Sequence, residues 1–312
     1  MARKAVVVGV DGSPASVRAA AFGWQLAQDL RVDCRLVYVM PDTWLSDYAV
    51  QPPMGQRRLM DEAAGLARGR VAEALGTVVP SEVLEQLEVR IGRPAVGLRA
   101  AADRVDAPYL VLGGKHHTTL GRTFGGSTAR DLVRTMDRPV LVVGEAQQAV
   151  RRVLAAVDLS AASRPTIAAA RRVARAFKAE LRVMTVVEPM RAPLTIPFAI
   201  DEAEIVRRAQ AAFERLERAS AGTPSGEWVL RRGTTEETIA TGVSEWGVDI
   251  VVVGSHGKGW VDRVLIGSTT ERLLAAMPAG LLIVPTGRRV PGRMPPKAGV
   301  PARRRPKHGV AA

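Results

Sequence analysis

Short apolar runs alternate along this chain with longer stretches in which apolar residues recur at helical spacing. Runs made almost entirely of Val, Ile and Leu are typical of strands that are buried on both faces of a sheet. After the first run, Val17, Ala20 and Trp24 would share one face of a helix. Ser13 and Pro14 precede that helix in the order of an N-cap and a first helical residue. The predicted strands are residues 5–10, 34–39, 87–91, 109–113 and 140–143, then 153–157, 181–187, 228–231, 250–254 and 281–284.

The chain contains the same unit twice. KAVVVGVDGSPAS near the start is matched by RVLAAVDLSAAS, which places Asp11 and Asp158 in equivalent positions. YLVLGGKHHTTLGRTFGGST is matched by DIVVVGSHGKGWVDRVLIGST, which aligns Gly113 with Gly254. Strands that alternate with helices predict a parallel sheet covered on both faces. We therefore expect an α/β fold of two tandem three-layer α/β/α domains, residues 1–147 and 150–288, each with a roughly five-stranded parallel sheet.

The second copy departs from the first at the start of its first helix. Pro165 would fall at the fifth position of a helix capped by Ser160, where a proline removes a backbone hydrogen bond. We expect Ser163 to be the cap instead, so this helix should begin later than its equivalent in the first copy.

Composition restricts the class of protein. The chain is 47% hydrophobic and 24% charged, as is usual for a soluble globular protein. Its single cysteine, Cys34, excludes a disulfide framework or a Cys-based zinc cluster and fits a reducing compartment. Every apolar run is far shorter than the roughly 18 residues of a membrane span, and the first is too short for a signal peptide. The sequence thus predicts a cytoplasmic protein that makes no membrane contact.

The net charge of +13 is concentrated at the C-terminus. Eight basic residues and no acidic residue lie between Arg288 and the end of the chain, which leaves +5 for the remainder. Residues 289–312 are rich in Pro, Gly and Arg without periodicity, so we expect a disordered tail. This tail is interpreted as a solvated extension, with weak binding to a polyanion as the alternative.

The second copy carries glycines where its predicted strands end. Gly254 and Gly257 are followed after nine residues by Gly267, Ser268 and a predicted helix. Ligands bind at the carboxyl ends of strands in open parallel sheets, and glycines at a helix start let phosphate oxygens approach backbone N–H groups. Ser268 and Glu271 also have the spacing of a capping box. The pattern predicts nucleotide binding, with tight turns and a helix cap as the alternative.

The G-x-x-G-x9-G-[ST] pattern, preceded by a Val-Asp-x-Ser strand end, resembles the universal stress protein family. The whole chain, over residues 3–287, is similar to a tandem member. The resemblance implies an adenine-nucleotide alpha hydrolase-like fold that binds ATP, with or without Mg²⁺. It also implies that the aspartate contacts the nucleoside, a second-strand valine offers its backbone to adenine, and the glycine loop holds ribose and phosphates. The residues carried over are Asp158, Val186, Gly254, Gly257, Gly267, Ser268 and Thr269 in the second domain, and Asp11, Val39, Gly113, Gly126, Ser127 and Thr128 in the first.

The first copy departs from the family pattern at one position. His116 stands where the second glycine of the pattern is expected. Histidine has a Cβ atom and adopts positive φ angles reluctantly. We therefore expect the first domain to bind ATP more weakly than the second.

The resemblance implies a nucleotide-dependent stress-response regulator rather than an enzyme. It would act through ligand-controlled conformation or association, as a homodimer or through pairing of its two domains. Hydrolysis requires a placed base and metal-holding acidic residues, and the second glycine loop offers only Asp262. No catalytic residue or metal ligand is assigned. A slow ATPase of the same fold and an interaction scaffold without nucleotide turnover are the alternatives.

Overall fold

The computed structural model describes residues 3–42, 53–114, 126–144, 149–189, 202–220, 222, 226–255, 267–276 and 279–286. The first half of the chain (residues 3–144) contains, in order, β1 (Ala5–Gly9), α1 (Pro14–Leu30), β2 (Asp33–Met40), α2 (Pro53–Leu75), α3 (Ser81–Glu85), β3 (Glu88–Ile91), α4 (Pro94–Arg104), β4 (Leu110–Gly114), α5 (Gly126–Thr135) and β5 (Val140–Gly144). The second half (residues 149–286) contains β6 (Arg152–Val157), α6 (Ser163–Phe177), β7 (Glu180–Val187), α7 (Glu202–Ala219), β8 (Glu227–Arg232), α8 (Thr235–Trp246), β9 (Ile250–Gly254), α9 (Ser268–Ala276) and β10 (Gly280–Val284).

The predicted α/β class is confirmed, and a strand lies at each of the ten predicted positions. The sequence did not predict α3, because a helix of five residues is too short to show apolar periodicity. The proposed disordered tail from residue 289 lies outside the described residues, as do the loop positions His116, Gly257 and Asp262.

All ten strands belong to one sheet, in the order β3-β2-β1-β4-β5-β10-β9-β6-β7-β8. The strands within each half are parallel, whereas β5 and β10 pair antiparallel, with Val142 opposite Leu281. The two halves therefore pair within the chain through their innermost strands. The homodimer alternative stays a prediction.

Helices cover both faces of this sheet, and the two halves share the apolar core beneath them. On one face, Val8 of β1, Leu141 of β5 and Val173 of α6 belong to a single buried cluster. The rings of Phe22 in α1 and Phe177 in α6 lie 5.2 Å apart across the junction. The halves are thus joined by packing as well as by strand pairing. None of the described helices has both the length and the apolarity needed to cross a bilayer.

The first helices of the two halves begin differently. Ser13 caps α1 as predicted, since its hydroxyl accepts a hydrogen bond from the Ser16 N–H at 3.4 Å. Helix α6 begins later, also as predicted, but its cap is Ala162 and not Ser163. The Thr166 N–H donates to the Ala162 carbonyl, which leaves Pro165 in the first turn, where no helical N–H partner is needed.

Candidate functional site

A cavity of about 430 Å³ lies where β6, β7 and β9 end. Its walls come from the carboxyl ends of these strands and from the starts of α6, α8 and α9, which is the usual place for a ligand in an open parallel sheet. Six of the seven site residues predicted for the second half line it: Asp158, Val186, Gly254, Gly267, Ser268 and Thr269. The seventh, Gly257, lies outside the described residues.

Asp158 follows the last residue of β6 and is fixed through one of its two carboxylate oxygens. Oδ1 accepts a hydrogen bond from the Ser160 N–H at 3.0 Å and lies 3.5 Å from the Ser163 hydroxyl. Oδ2 is buried and has no hydrogen-bond partner among the described residues. A buried acceptor without a donor is costly, so a ligand that supplies an N–H or O–H here would gain binding energy.

Val186 contributes the edge of a strand to the cavity. The pairing of β6 with β7 ends at Val157 opposite Thr185, and Val186 is the next residue of β7. The Thr185 hydroxyl donates to the Val157 carbonyl at 2.6 Å, where the pairing of β6 with β7 ends. The side of β7 that faces β6 is therefore open at Val186, where the backbone can meet a planar ligand edge.

The start of α9 points its backbone amides at the same cavity. Ser268, Thr269 and Thr270 are the first three residues of this helix, and all three line the cavity. Amides in the first turn have no partner within the helix, and the helix dipole makes this end electropositive. The Thr270 hydroxyl donates to the Gly254 carbonyl at 2.8 Å, which holds the helix start against the end of β9. This arrangement is suited to an anion.

The predicted capping box at this helix is wrong by one residue. The Glu271 N–H donates to the Gly267 carbonyl at 2.9 Å, so Gly267 is the cap and Ser268 is already helical. The Gly267 N–H is occupied by the Ser255 carbonyl at 2.9 Å. The Glu271 carboxylate turns away to accept a hydrogen bond from Arg134 of α5 at 3.1 Å. The Gly267 N–H is therefore not available to a ligand. Gly267 instead forms part of the cavity wall beside the amides of α9.

Sequence reasoning missed the wall formed by α8. Glu188, which follows β7, accepts a hydrogen bond from the Thr235 N–H at 3.0 Å, and both residues line the cavity. Glu236 in the next position accepts from Arg272 at 2.8 Å. The first turn of α8 contains two acidic residues, and no local pattern in the sequence indicated that Glu188 would lie beside it. The cavity is thus acidic at α8 and electropositive at α9.

In the first half, helices pack closely on the equivalent strand ends. A Cβ atom on Gly113 would lie 2.6 Å from the carbonyl carbon of Ala15, so the first turn of α1 lies directly on the end of β4. Val39 is 6% exposed and packs against Gly97 of α4. In the second half, by contrast, Ala162, the equivalent of Ala15, lines the open cavity.

The other predicted residues of the first half are only partly placed. Asp11 follows β1, as predicted, and its Oδ1 accepts from the Ser13 N–H at 3.0 Å. Gly126, Ser127 and Thr128 form the first residues of α5. Among the residues that the structure describes in either half, no cluster of three or more His, Cys, Asp or Glu side chains is placed to hold a metal ion.

Comparison with known proteins gives a consistent result. A family model described as "Universal stress protein family" matches residues 2–144 and again residues 149–285. A universal stress protein of Thermus aquaticus is 30% identical over 135 residues, which cover 43% of this chain and 98% of that protein. Another, from Methanocaldococcus jannaschii, is 28% identical over 147 residues, 45% of this chain and 81% of that protein.

A solved structure has the same architecture over nearly the whole chain. The crystal structure of a universal stress protein from Archaeoglobus fulgidus covers 91% of this chain and 98% of its own, with a TM-score of 0.66 at 17% identity. At that identity the likeness shows the fold alone. The two family matches together cover most of the sequence, and the chain belongs to the universal stress protein family.

Proposed function

We propose that the second half of the chain binds ATP and that the protein acts as a nucleotide-dependent stress-response regulator. One observation carries the proposal. Residues far apart in sequence, which the glycine pattern and the family resemblance assign to a nucleotide site, line a single cavity: Asp158, Val186, Gly254, Gly267, Ser268 and Thr269. Its volume of about 430 Å³ falls within the range of ordinary small-molecule sites.

The polarity of the cavity suggests how ATP would lie in it. The nucleoside would lie over β6 and β7, where Asp158 Oδ2 can accept a hydrogen bond and the open edge of Val186 can meet the adenine. The triphosphate would point to the amides at the start of α9, because the carboxylate of Glu188 would repel it from α8. Gly257 would lie beside the phosphates, and any Mg²⁺ would be held mainly by phosphate oxygens, as is common for this ion.

We assign no dedicated turnover to this site. Hydrolysis would require a carboxylate that is free to orient water and hold a metal ion near the terminal phosphate. Glu271 of α9 and Glu236 at the start of α8 are each hydrogen-bonded to an arginine. This supports a binding role. A slow ATPase remains the second candidate, and a hydrolysis assay on the purified chain distinguishes the two.

The first half would bind ATP more weakly. The close contact of Gly113 with α1 and the burial of Val39 leave less space at the equivalent strand ends, and His116 adds a side chain to the glycine loop. Calorimetry should therefore give one tight ATP per chain. A second site would be weaker by about ten- to a hundredfold, the cost of one lost contact to a charged phosphate.

A matched pair of variants tests the assignment. Ala162 lines the cavity, whereas its neighbour Ala161 is exposed and does not. Ala162→Phe should fill the cavity and abolish tight ATP binding in calorimetry, and Ala161→Phe should leave the affinity unchanged. Gly257→Val should also abolish binding, because a branched side chain would stand where the phosphates approach. Undiminished ATP affinity in Ala162→Phe would exclude this cavity as the site.

A further inference from the structure

Helices α1 and α6 lie side by side where the two halves of the chain meet. The rings of Phe22 and Phe177 pack together, and the side-chain amide of Gln25 in α1 donates to the Ala176 carbonyl in α6 at 3.1 Å. Their outer surfaces form one continuous face, which we call the junction face. Every residue of both helices is described, so the charges that the two helices carry can be counted in full. Arg171 is only partly exposed, and its Nε atom is buried.

The junction face is strongly basic. Helix α6 with its C-cap contains no acidic residue and five basic ones: Arg164, Arg171, Arg172, Arg175 and Lys178. Helix α1 with its C-cap adds Arg18 and Arg31 and a single carboxylate, Asp29, whose side chain is only 19% exposed. The chain without its tail has a net charge of only +5, but positive charge is concentrated on these two helices.

Among the described residues, the arginines of α6 have fewer carboxylate partners than Arg207 and Arg208 of α7. On α7, Arg207 and Arg208 both pair with Glu204, at 2.7 and 2.6 Å. On α6, no carboxylate partner lies within ion-pair distance of Arg164, Arg171 or Arg172 among the described residues, and Arg175 reaches only Asp29, at 3.8 Å. The positive charge of the junction face is thus largely uncompensated.

We propose that the junction face binds duplex nucleic acid through its phosphate backbone. Arg164 and Lys178 are 14 positions apart on α6 and its cap, about 21 Å along a helix axis. A row of this length spans about six base pairs when it lies along a duplex, so the arginines can reach several backbone phosphates. Guanidinium groups donate bidentate hydrogen bonds to phosphate oxygens, so arginine suits this role better than lysine.

The neighbouring side chains distinguish duplex nucleic acid from other polyanions. The exposed residues between the arginines are small or neutral, such as Ala168, Gln25 and Gln28. A membrane surface would require exposed apolar anchors, and single strands would require exposed aromatic rings for base stacking. The junction face has neither exposed apolar anchors nor exposed aromatic rings. The proposal made for this face does not depend on the proposed ATP site. Binding without preference for base sequence follows from contacts to phosphates alone.

Salt dependence of binding provides the test. A labelled 25-base-pair duplex is titrated with the full chain from 50 to 200 mM salt. The titration is repeated with a quadruple Arg→Gln variant at residues 164, 171, 172 and 175. Four phosphate contacts contribute about 3.6 to the slope of log K against log salt, so the variant should lose a slope of about 3–4. At 50 mM salt its affinity should fall by at least tenfold.

Two further variants separate the junction face from total charge and from folding. A control replaces Arg207, Arg208, Arg215 and Arg218 of α7 by Gln, which removes the same charge, and it should change the slope by less than one. Ala168→Glu with Gln28→Glu adds carboxylates at exposed positions without removing a contact, and it should also weaken binding.

The proposal is overturned if the two quadruple variants lose affinity equally, which would point to net charge or to the basic tail. It is also overturned if the chain binds poly-glutamate, anionic vesicles or single strands more tightly than the duplex.

Discussion

At the scale of single residues, the two equivalent aspartates differ in their surroundings. Oδ1 of Asp11 accepts hydrogen bonds from both the amide and the hydroxyl of Ser13, at 3.0 and 2.5 Å. Oδ1 of Asp158 accepts from the Ser160 amide, whereas the Ser160 hydroxyl turns to the Ala162 N–H at 3.2 Å. The same Val-Asp-x-Ser pattern thus gives an exposed, locally bonded carboxylate in one half and a cavity-lining one in the other.

This difference predicts unequal effects of the same substitution. Asp158→Ala removes an acceptor that a bound nucleoside would use, and it should weaken ATP binding by about ten- to a hundredfold. Asp11→Ala should change the tight site by less than twofold. Calorimetric titration of the two full-length variants checks this. Equal losses in both would show that the aspartates act on folding and not on a ligand.

Cys34 gives a prediction for pH. Burial raises the pKa of the Cys34 thiol from its ordinary value near 9 to about 12. Between these two values the unfolded chain has lost the thiol proton and the folded chain has kept it. Stability should therefore fall as pH rises through this window, by about 1.4 kcal/mol per pH unit from this group. Denaturant unfolding of wild type and Cys34→Ala at pH 8 and 10.5 should show a steeper loss in the wild type; parallel losses would contradict the burial argument.

At the scale of elements, three helices end on residues in the left-handed conformation. Arg31 ends α1 at φ 54°, Lys178 ends α6 at φ 53°, and Gly247 ends α8 at φ 61°. Only glycine adopts this conformation without steric cost, because it has no Cβ atom. The first two helices therefore end with local strain that the third avoids.

Substitution of glycine at one of these caps and of arginine at another should change the free energy of unfolding in opposite directions. Arg31→Gly should raise the free energy of unfolding by about 0.5–1 kcal/mol, and Gly247→Arg should lower it by a similar or larger amount. Denaturant unfolding measures both. If Arg31→Gly destabilises the chain, contacts of the arginine side chain outweigh the backbone strain.

The sequence predicted most elements because apolar runs and helix-start residues report local structure directly. Pro165 correctly delayed the start of α6, since a proline excludes a deeper position in the helix. Ser268 and Glu271 failed as a capping box, because the Gly267 carbonyl had already begun the helix and Arg134, from the other half, took the Glu271 carboxylate. Contacts such as Glu188 with Thr235, 47 positions apart, depend on tertiary packing that no local pattern records.

At the scale of the whole molecule, the two repeats form one structural body. The repeat pattern predicted two similar domains but contained no information on how they would join. The antiparallel pair of β5 and β10 and the core around Phe22 and Phe177 merge them into one sheet with shared packing. Neither half would keep this core intact if the other unfolded.

Unfolding should therefore be cooperative across the whole chain. Calorimetry should show a single transition whose calorimetric and van't Hoff enthalpies agree. Phe22 is 5% exposed at the junction, so Phe22→Ala should cost about 3–5 kcal/mol and lower that single transition without splitting it. Two resolved transitions in the wild type would show that the halves unfold independently.

The β5–β10 pairing also affects how the two repeats can differ in sequence. When identical subunits assemble, every substitution appears in each of their sites at once, and an impairing change leaves no intact copy. Here the paired units are encoded separately, so one can carry His116 where the other carries Gly257. Covalent linkage therefore allows a substitution in one unit to leave the sequence of the other unit unchanged.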